Sequence, residues 1–246
     1  MRKRSIIAAV LACAAALAVP LNAEELDDFR ARLREATNGF KDIRATVVVL
    51  DSSRRELEKM GKVFAETYQF KKAKVCFKSP DKLKINGELG MMKVEFITAG
   101  NTRLMRIPSV RFKRREDITR QQEKRMTPLD VGVVSDAIWG VYKVKLARTE
   151  KSDSGSTAYV LRLETDKSQK CQLIWVDGTN FKLLRRDRLL ENGSIKVKTV
   201  YSNHKQVNGI WVPTRADVYN GNGKWAATTE TRDIVTNSGV EDKEFE

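Results

Sequence analysis

The stretch that decides the fold is Tyr68–Ile107, YQFKKAKVCFKSPDKLKINGELGMMKVEFITAGNTRLMRI. Short apolar alternations are cut there by turn residues. Phe70, Val75 and Phe77 mark one run, closed by Ser79-Pro80-Asp81, and Leu83 and Ile85 mark the next, closed by Asn86-Gly87. Met92, Val94 and Phe96 alternate with polar residues up to Gly100-Asn101, and Leu104, Met105 and Ile107 form a fourth run stopped by Pro108. Successive side chains of a strand point to opposite sides, so each set is assigned to a single face of a sheet. Strands this short, at intervals of about 8–12 residues, predict an antiparallel sheet or barrel.

The same texture returns downstream, in Tyr142–Leu146, Tyr159–Leu163, Leu173–Val176, Leu183–Leu190, Ile195–Tyr201, Ile210–Tyr219 and Trp225–Ile234. Asp177-Gly178, Asn192-Gly193, Asn208-Gly209 and Asn220-Gly221 lie between these runs, and Asx-Gly pairs supply the positive φ that tight hairpins need. Upstream, Leu26, Phe29, Leu33, Ala36 and Phe40 recur at three- and four-residue spacing, which predicts an amphipathic helix stopped near Gly39. A strand follows over Asp42–Asp51, and the charged segment Ser52–Ala65 reads as a hairpin loop or a short second helix. Thr127 before Pro128 opens another helix, with Leu129, Val133, Ala137 and Ile138 on it and Trp139-Gly140 at its end. With no repeat and no linker, residues 24–246 read as one domain of the mostly β (α+β) class, an antiparallel sheet or barrel with a few helices.

Residues 1–23 have the pattern of an export signal. Arg2, Lys3 and Arg4 precede the apolar run Ile6–Val19, Pro20 breaks it, and Ala23 offers the small residue for cleavage. The run is shorter than the ~20 residues that cross a bilayer. Cys13 sits too early in it for a lipidated cysteine. Cleavage takes three positive charges from the +14 of the whole chain and leaves +11 on 223 residues. In an exported protein such a balance points to anionic membrane surfaces rather than to nucleic acid. Three basic strips are candidates: Lys71, Lys72 and Lys74; Arg111, Lys113, Arg114 and Arg115; and Arg185, Arg186 and Arg188. Cys76 and Cys171 remain after processing, either paired or free, with Cys76 between Lys74 and Lys78 on the polar face of its strand.

Catalytic signatures are missing. The single histidine, His204, follows Ser202-Asn203 in what reads as an exposed turn. There is no HExxH, CxxC, GxSxG or P-loop. Asp153-Ser154-Gly155-Ser156 matches the core of an aspartic-protease motif, but Lys151 and Ser152 precede it where a hydrophobic strand is required. No catalytic residue, metal or cofactor is therefore expected. What remains is apolar surface on some ten strands with two clear helices to cover it. Either the helices complete an ordinary core, or sheet and helices enclose an apolar cavity. In the second case Phe70, Val75, Phe77, Leu83, Ile85, Met92, Val94, Phe96 and Trp139 are the candidate lining.

The order of elements resembles the bacterial outer-membrane lipoprotein carrier (LolA) family and its lipoprotein-sorting relatives. The matching segments are Phe77–Leu83, Thr98–Asn101, Thr127–Leu129, Val207–Pro213 and Asn237–Phe245, so the resemblance spans nearly all of residues 24–246. It implies a twisted half-barrel closed by helices, with the acyl chains of lipids or lipoproteins held between. The implied roles are a carrier between membranes, or a sensory module that reports lipid or envelope status to a membrane protein. One position departs: Ser79, next to Lys78, stands where the carriers have an arginine that helps latch the lid.

Overall fold

The computed structural model describes residues 23–152, 155–165 and 168–246, so the expected export signal up to Asn22 lies outside the described residues, as do Asp153 and Ser154. Its first meander is β1 (Asp42–Ser52), β2 (Lys72–Lys78), β3 (Lys82–Leu89), β4 (Met92–Ala99), β5 (Thr102–Ile107) and β6 (Phe112–Asp117). The second is β7 (Lys143–Lys151), β8 (Thr157–Thr165), β9 (Ser168–Asp177), β10 (Leu183–Leu189), β11 (Ile195–Val207), β12 (Ile210–Asn220) and β13 (Trp225–Thr236). Pairing of β1 with β13 joins the two into one antiparallel sheet of order β6-β5-β4-β3-β2-β1-β13-β12-β11-β10-β9-β8-β7, open at β6 and β7.

This order explains the cover. The chain leaves the sheet at one edge, β6, and re-enters it at the other, β7, so the connection 118–142 must cross the sheet's inner face. The expected Thr-Pro helix in that connection is instead two short 3-10 turns, Pro128–Val131 and Asp136–Gly140. Thr127 does open the first, its N–H donating to the Asp130 carboxylate at 2.9 Å. Gly132 ends it at φ +79°, and a Cβ there would stand 2.5 Å from Cγ of Pro213 on β12. One residue thus supplies both the left-handed backbone and the close approach that a continuous helix would forbid.

Helix α1 (Ala23–Thr37) forms as its periodicity predicts. It sets Phe29 and Leu33 against Leu161, Ile174 and Leu183 on the second meander, with Leu129 and Ile138 of the connection in the same cluster. The ambiguous charged segment is two short helices, α2 (Arg54–Glu58) and α3 (Lys62–Thr67), with Leu57, Met60 and Ala65 packed on Val197, Val218 and Ala227. A third cluster joins Phe40, Ile43, Phe77 and Leu83 to Val133, Ile210 and Val212. All three lie on the inner face.

The outer face has its own cover. Val240 and Phe245 of the C-terminal segment pack on Cys76 and Ile97. Asp42 holds that segment: its carboxylate accepts from the Ser238 N–H (2.7 Å) and hydroxyl (2.8 Å) and from the N–H groups of Gly239 (3.1 Å) and Val240 (3.3 Å). Cys76 does lie on the lysine-bearing face, but the tail buries it; Cys171 is buried too, and neither is in a disulfide.

Three local expectations are corrected. Asn86-Gly87 does not end its strand, because β3 runs on to Leu89 and the chain turns at Gly90, φ +60°. Phe70 lies before β2 and, by residue count, has the opposite parity to Val75 and Phe77. It reaches the inner face by laying its ring on Gly87, where a Cβ would meet Phe70 Cδ1 at 2.7 Å. His204 is not in an exposed turn, since β11 carries it, half-buried, to bond the Leu183 carbonyl through Nε2 at 2.8 Å. Burial lowers its pKa, which favours the neutral imidazole.

Candidate ligand cavity

Register on the inner face sorts the expected lining residues into two kinds. Ile43, Phe77, Leu83 and Thr98 stand side by side across β1–β4 and are all buried. The next row is Ala45, Val75, Ile85, Phe96 and Met105, opposite one another across five consecutive strands. Every member of that second row is only half-buried. This row is thus more open than the one beside it, although Val75 and Ile85 still pack against the Phe77 cluster.

Of the remaining expected residues, Phe70 and Val94 are buried on the inner face, with the Phe70 ring edge-on to Phe96 at 6.1 Å between centroids. Met92 sits at the β3–β4 turn and is 39% exposed. Trp139 is apart from the rest. It packs at the α1 end under the Arg30 guanidinium, 4.9 Å from the ring centroid. It also borders an open groove of about 340 Å³ with Gln122, Arg125 and Tyr142.

Polar groups that sequence reasoning did not single out as a site stand on the same inner face, on β9 and β10. Arg186 is 5% exposed and donates to Asp130 (2.8 Å), to the Gln172 side-chain carbonyl (2.7 Å) and to the Leu129 carbonyl (3.3 Å). Gln172 in turn donates to the Tyr142 hydroxyl at 3.2 Å. Burial opposes both charges, but each outweighs it for the other, holding the Asp130 carboxyl below its usual range and Arg186 protonated. The third basic strip is thereby dismantled. Arg186 is inside the fold, Arg188 is on the inner face, and Arg185 lies on the outer face over the Trp175 ring at 4.2 Å. The other two strips are exposed.

Several ion pairs pin the covering connection. Arg125 donates to Asp81 at 2.5 Å, Asp130 takes Arg186, and Asp136 pairs with Arg30 (2.5 Å) and Arg34 (3.3 Å) of α1. The first is anchored in the Ser79-Pro80-Asp81 turn itself. An arginine of the connection thus reaches a carboxylate of the turn. Among the described residues, no group of three or more His, Cys, Asp and Glu could hold a metal ion.

No protein-family model matches the sequence, and no curated protein matches it either. Solved structures do share the fold. A LolA superfamily protein from Nitrosomonas europaea aligns with TM-score 0.60 at 17% identity, over 89% of this chain and 96% of that one. A domain described as an outer membrane lipoprotein-sorting protein, from Vibrio parahaemolyticus, aligns with TM-score 0.59 at 13% identity, over 91% and 97%. A DUF1329 family protein from Desulfovibrio piger aligns with TM-score 0.56 at 15% identity, over 91% and 96%. The fold is LolA-superfamily-like: a mostly β, open antiparallel half-barrel with a few helices.

Proposed function

We propose that this protein is a periplasmic carrier that holds the acyl chains of a lipid or lipoprotein in a hollow on the inner face and moves them between membranes, without catalysis. The observation that carries this reading is the half-open apolar row Ala45, Val75, Ile85, Phe96 and Met105 beneath a connection pinned by ion pairs. An acyl chain laid on that row removes apolar surface from water at about 25 cal/mol per Å², and the cover can seal over it. Organic extracts of the exported, purified protein should contain a lipid by mass spectrometry. A protein that is lipid-free and fails to retain a fluorescent fatty acid would rule the carrier out.

Delivery needs a surface, and one end of the sheet offers it. The β3–β4 and β5–β6 turns lie at the same end of their meander and expose Met91 (100%), Val110 (61%) and Phe112 (43%). Lys71, Lys72, Arg111, Lys113 and Arg114 are exposed around them. Apolar tips among cations suit an anionic bilayer, each basic residue adding about 1 kcal/mol of salt-screened attraction. Binding should require anionic lipid in vesicles and weaken with salt. The same end would serve a sensory module docking on an envelope membrane protein; a stable complex that contains no lipid would favour that role.

A further inference from the structure

Arg188 is a cation of the hollow without a carboxylate of its own. It stands on the same inner face of β10 as Arg186, opposite Gln172 on β9 and Val197 on β11. Asp130 is shared: it lies 2.8 Å from Arg186 and 3.7 Å from Arg188. Two guanidiniums therefore face one carboxylate, and the cluster holds one positive charge in excess. Arg188 is crowded by protein on all sides, yet 47% of its side chain is open, as for a residue in the wall of a hollow. Repulsion from Arg186, followed by burial, lowers its pKa, and the shared Asp130 offsets this only in part.

The surroundings suit an anion. Tyr68 and Tyr201 both feel the Arg188 charge, and burial raises both hydroxyl pKa values, Tyr68 to about 12, so they remain protonated donors. Two residues beyond Tyr68, Phe70 lies edge-on to Phe96, the fourth member of the half-open row. Tyr68 thus stands between the Arg188 charge and the Phe70–Phe96 pair on the inner face.

We infer that the hollow takes an amphiphile with an anionic head, a carboxylate or a phosphate ester, its head on Arg188 and its tail along Phe70, Phe96 and Ile85. This rests on the carrier reading and adds the charge and the direction of the ligand. Charge-assisted hydrogen bonds to a guanidinium are the strong ones, and the open part of the Arg188 side chain is where an anion can reach it.

The test displaces the neutral fluorophore 1-aminoanthracene from wild type, Arg188→Met and Arg188→Lys. The competitors are palmitate, methyl palmitate, a palmitoyl lysophosphatidate and inorganic phosphate. Palmitate, the lysophosphatidate or both should bind wild type at least about tenfold more tightly than the methyl ester. Which of the two does so identifies the head. Arg188→Met should erase that preference while leaving ester affinity and thermal unfolding unchanged, and Arg188→Lys should restore most of it. Equal binding of acids and ester by wild type, or a preference that survives Arg188→Met, would overturn the head site and leave the carrier reading standing. Displacement by inorganic phosphate as strong as by the lysophosphatidate would also overturn it, by showing an ion site without a tail. Failure of every chain-bearing competitor to bind would overturn the carrier reading, and the head site with it.

Discussion

Asp130 of the crossing connection and Arg186 of β10 meet 2.8 Å apart, and the same carboxylate accepts the Thr127 N–H that opens its own turn. One side chain therefore both shapes the cover and fixes it to the sheet. Breaking a buried pair from one side leaves the other charge uncompensated, at a cost of about 3–5 kcal/mol. Asp130→Asn keeps the size of the side chain but leaves Arg186 and Arg188 facing no carboxylate, and should cost that much by urea unfolding. Arg186→Met in the same background should recover part of the loss. A loss below ~1 kcal/mol, within the range of exposed pairs, would show that the pin contributes little.

Asp42 sets a pH dependence. Burial opposes its charge, but the Ser238 hydroxyl and the N–H groups of Ser238, Val240 and Gly239 outweigh it and hold the carboxyl below its usual range. A carboxylate whose folded pKa is depressed contributes stability that is present above the unfolded pKa of ~3.9 and is lost as pH falls through the folded one. Urea unfolding of wild type should therefore weaken below about pH 5, and Asp42→Asn should remove part of that slope. Because the anchored segment buries Cys76, the variant should also label faster at that thiol. An unchanged slope together with an unchanged labelling rate would remove Asp42 from this role.

Two glycines separate backbone strain from crowding. Gly90 turns at φ +60° with nothing within 4 Å of where a Cβ would stand, so Gly90→Ala should cost about 1–2 kcal/mol, the left-handed penalty alone. Gly132, at φ +79°, adds the overlap with the Pro213 ring, and Gly132→Ala should cost clearly more. Equal thermal shifts would mean that Pro213 yields freely and the connection is not held close to β12.

Period two made the strands legible. Alternation in Met92, Val94 and Phe96 and the Asx-Gly pairs before Gly193, Gly209 and Gly221 locate hairpins that exist. It failed where a count of residues does not set the face. Counting from Leu183 puts Arg185 inward, but a register shift between Leu183 and Arg185 sends Arg186 and Arg188 there instead, so the charged end of the hollow was hidden inside a surface-like arginine run. Phe70 reads as part of a strand that it precedes, because its inward path depends on the missing side chain at Gly87. The two 3-10 turns replaced one helix for a related reason: nothing local to Gly132 announces a proline some eighty residues away. Whether an inward apolar residue is packed or open depends on cross-strand rows, and those need the register.

Phe77 and Phe96 test that last distinction. They lie one residue row apart on the inner face, yet Phe77 is 0% exposed and stacked on Phe40 at 6.1 Å, whereas Phe96 is half-buried on the open row. Truncating a fully packed phenylalanine costs about 3–5 kcal/mol, through lost transfer energy and the void left behind. Phe77→Ala should show that cost in urea unfolding without ligand. Phe96 has fewer neighbours to lose, so Phe96→Ala should cost less than half as much, while retention of a fluorescent fatty acid falls severalfold. If Phe96→Ala destabilises as strongly as Phe77→Ala, and wild type never retains the probe, then the open row is ordinary core and the cover has nothing to close over.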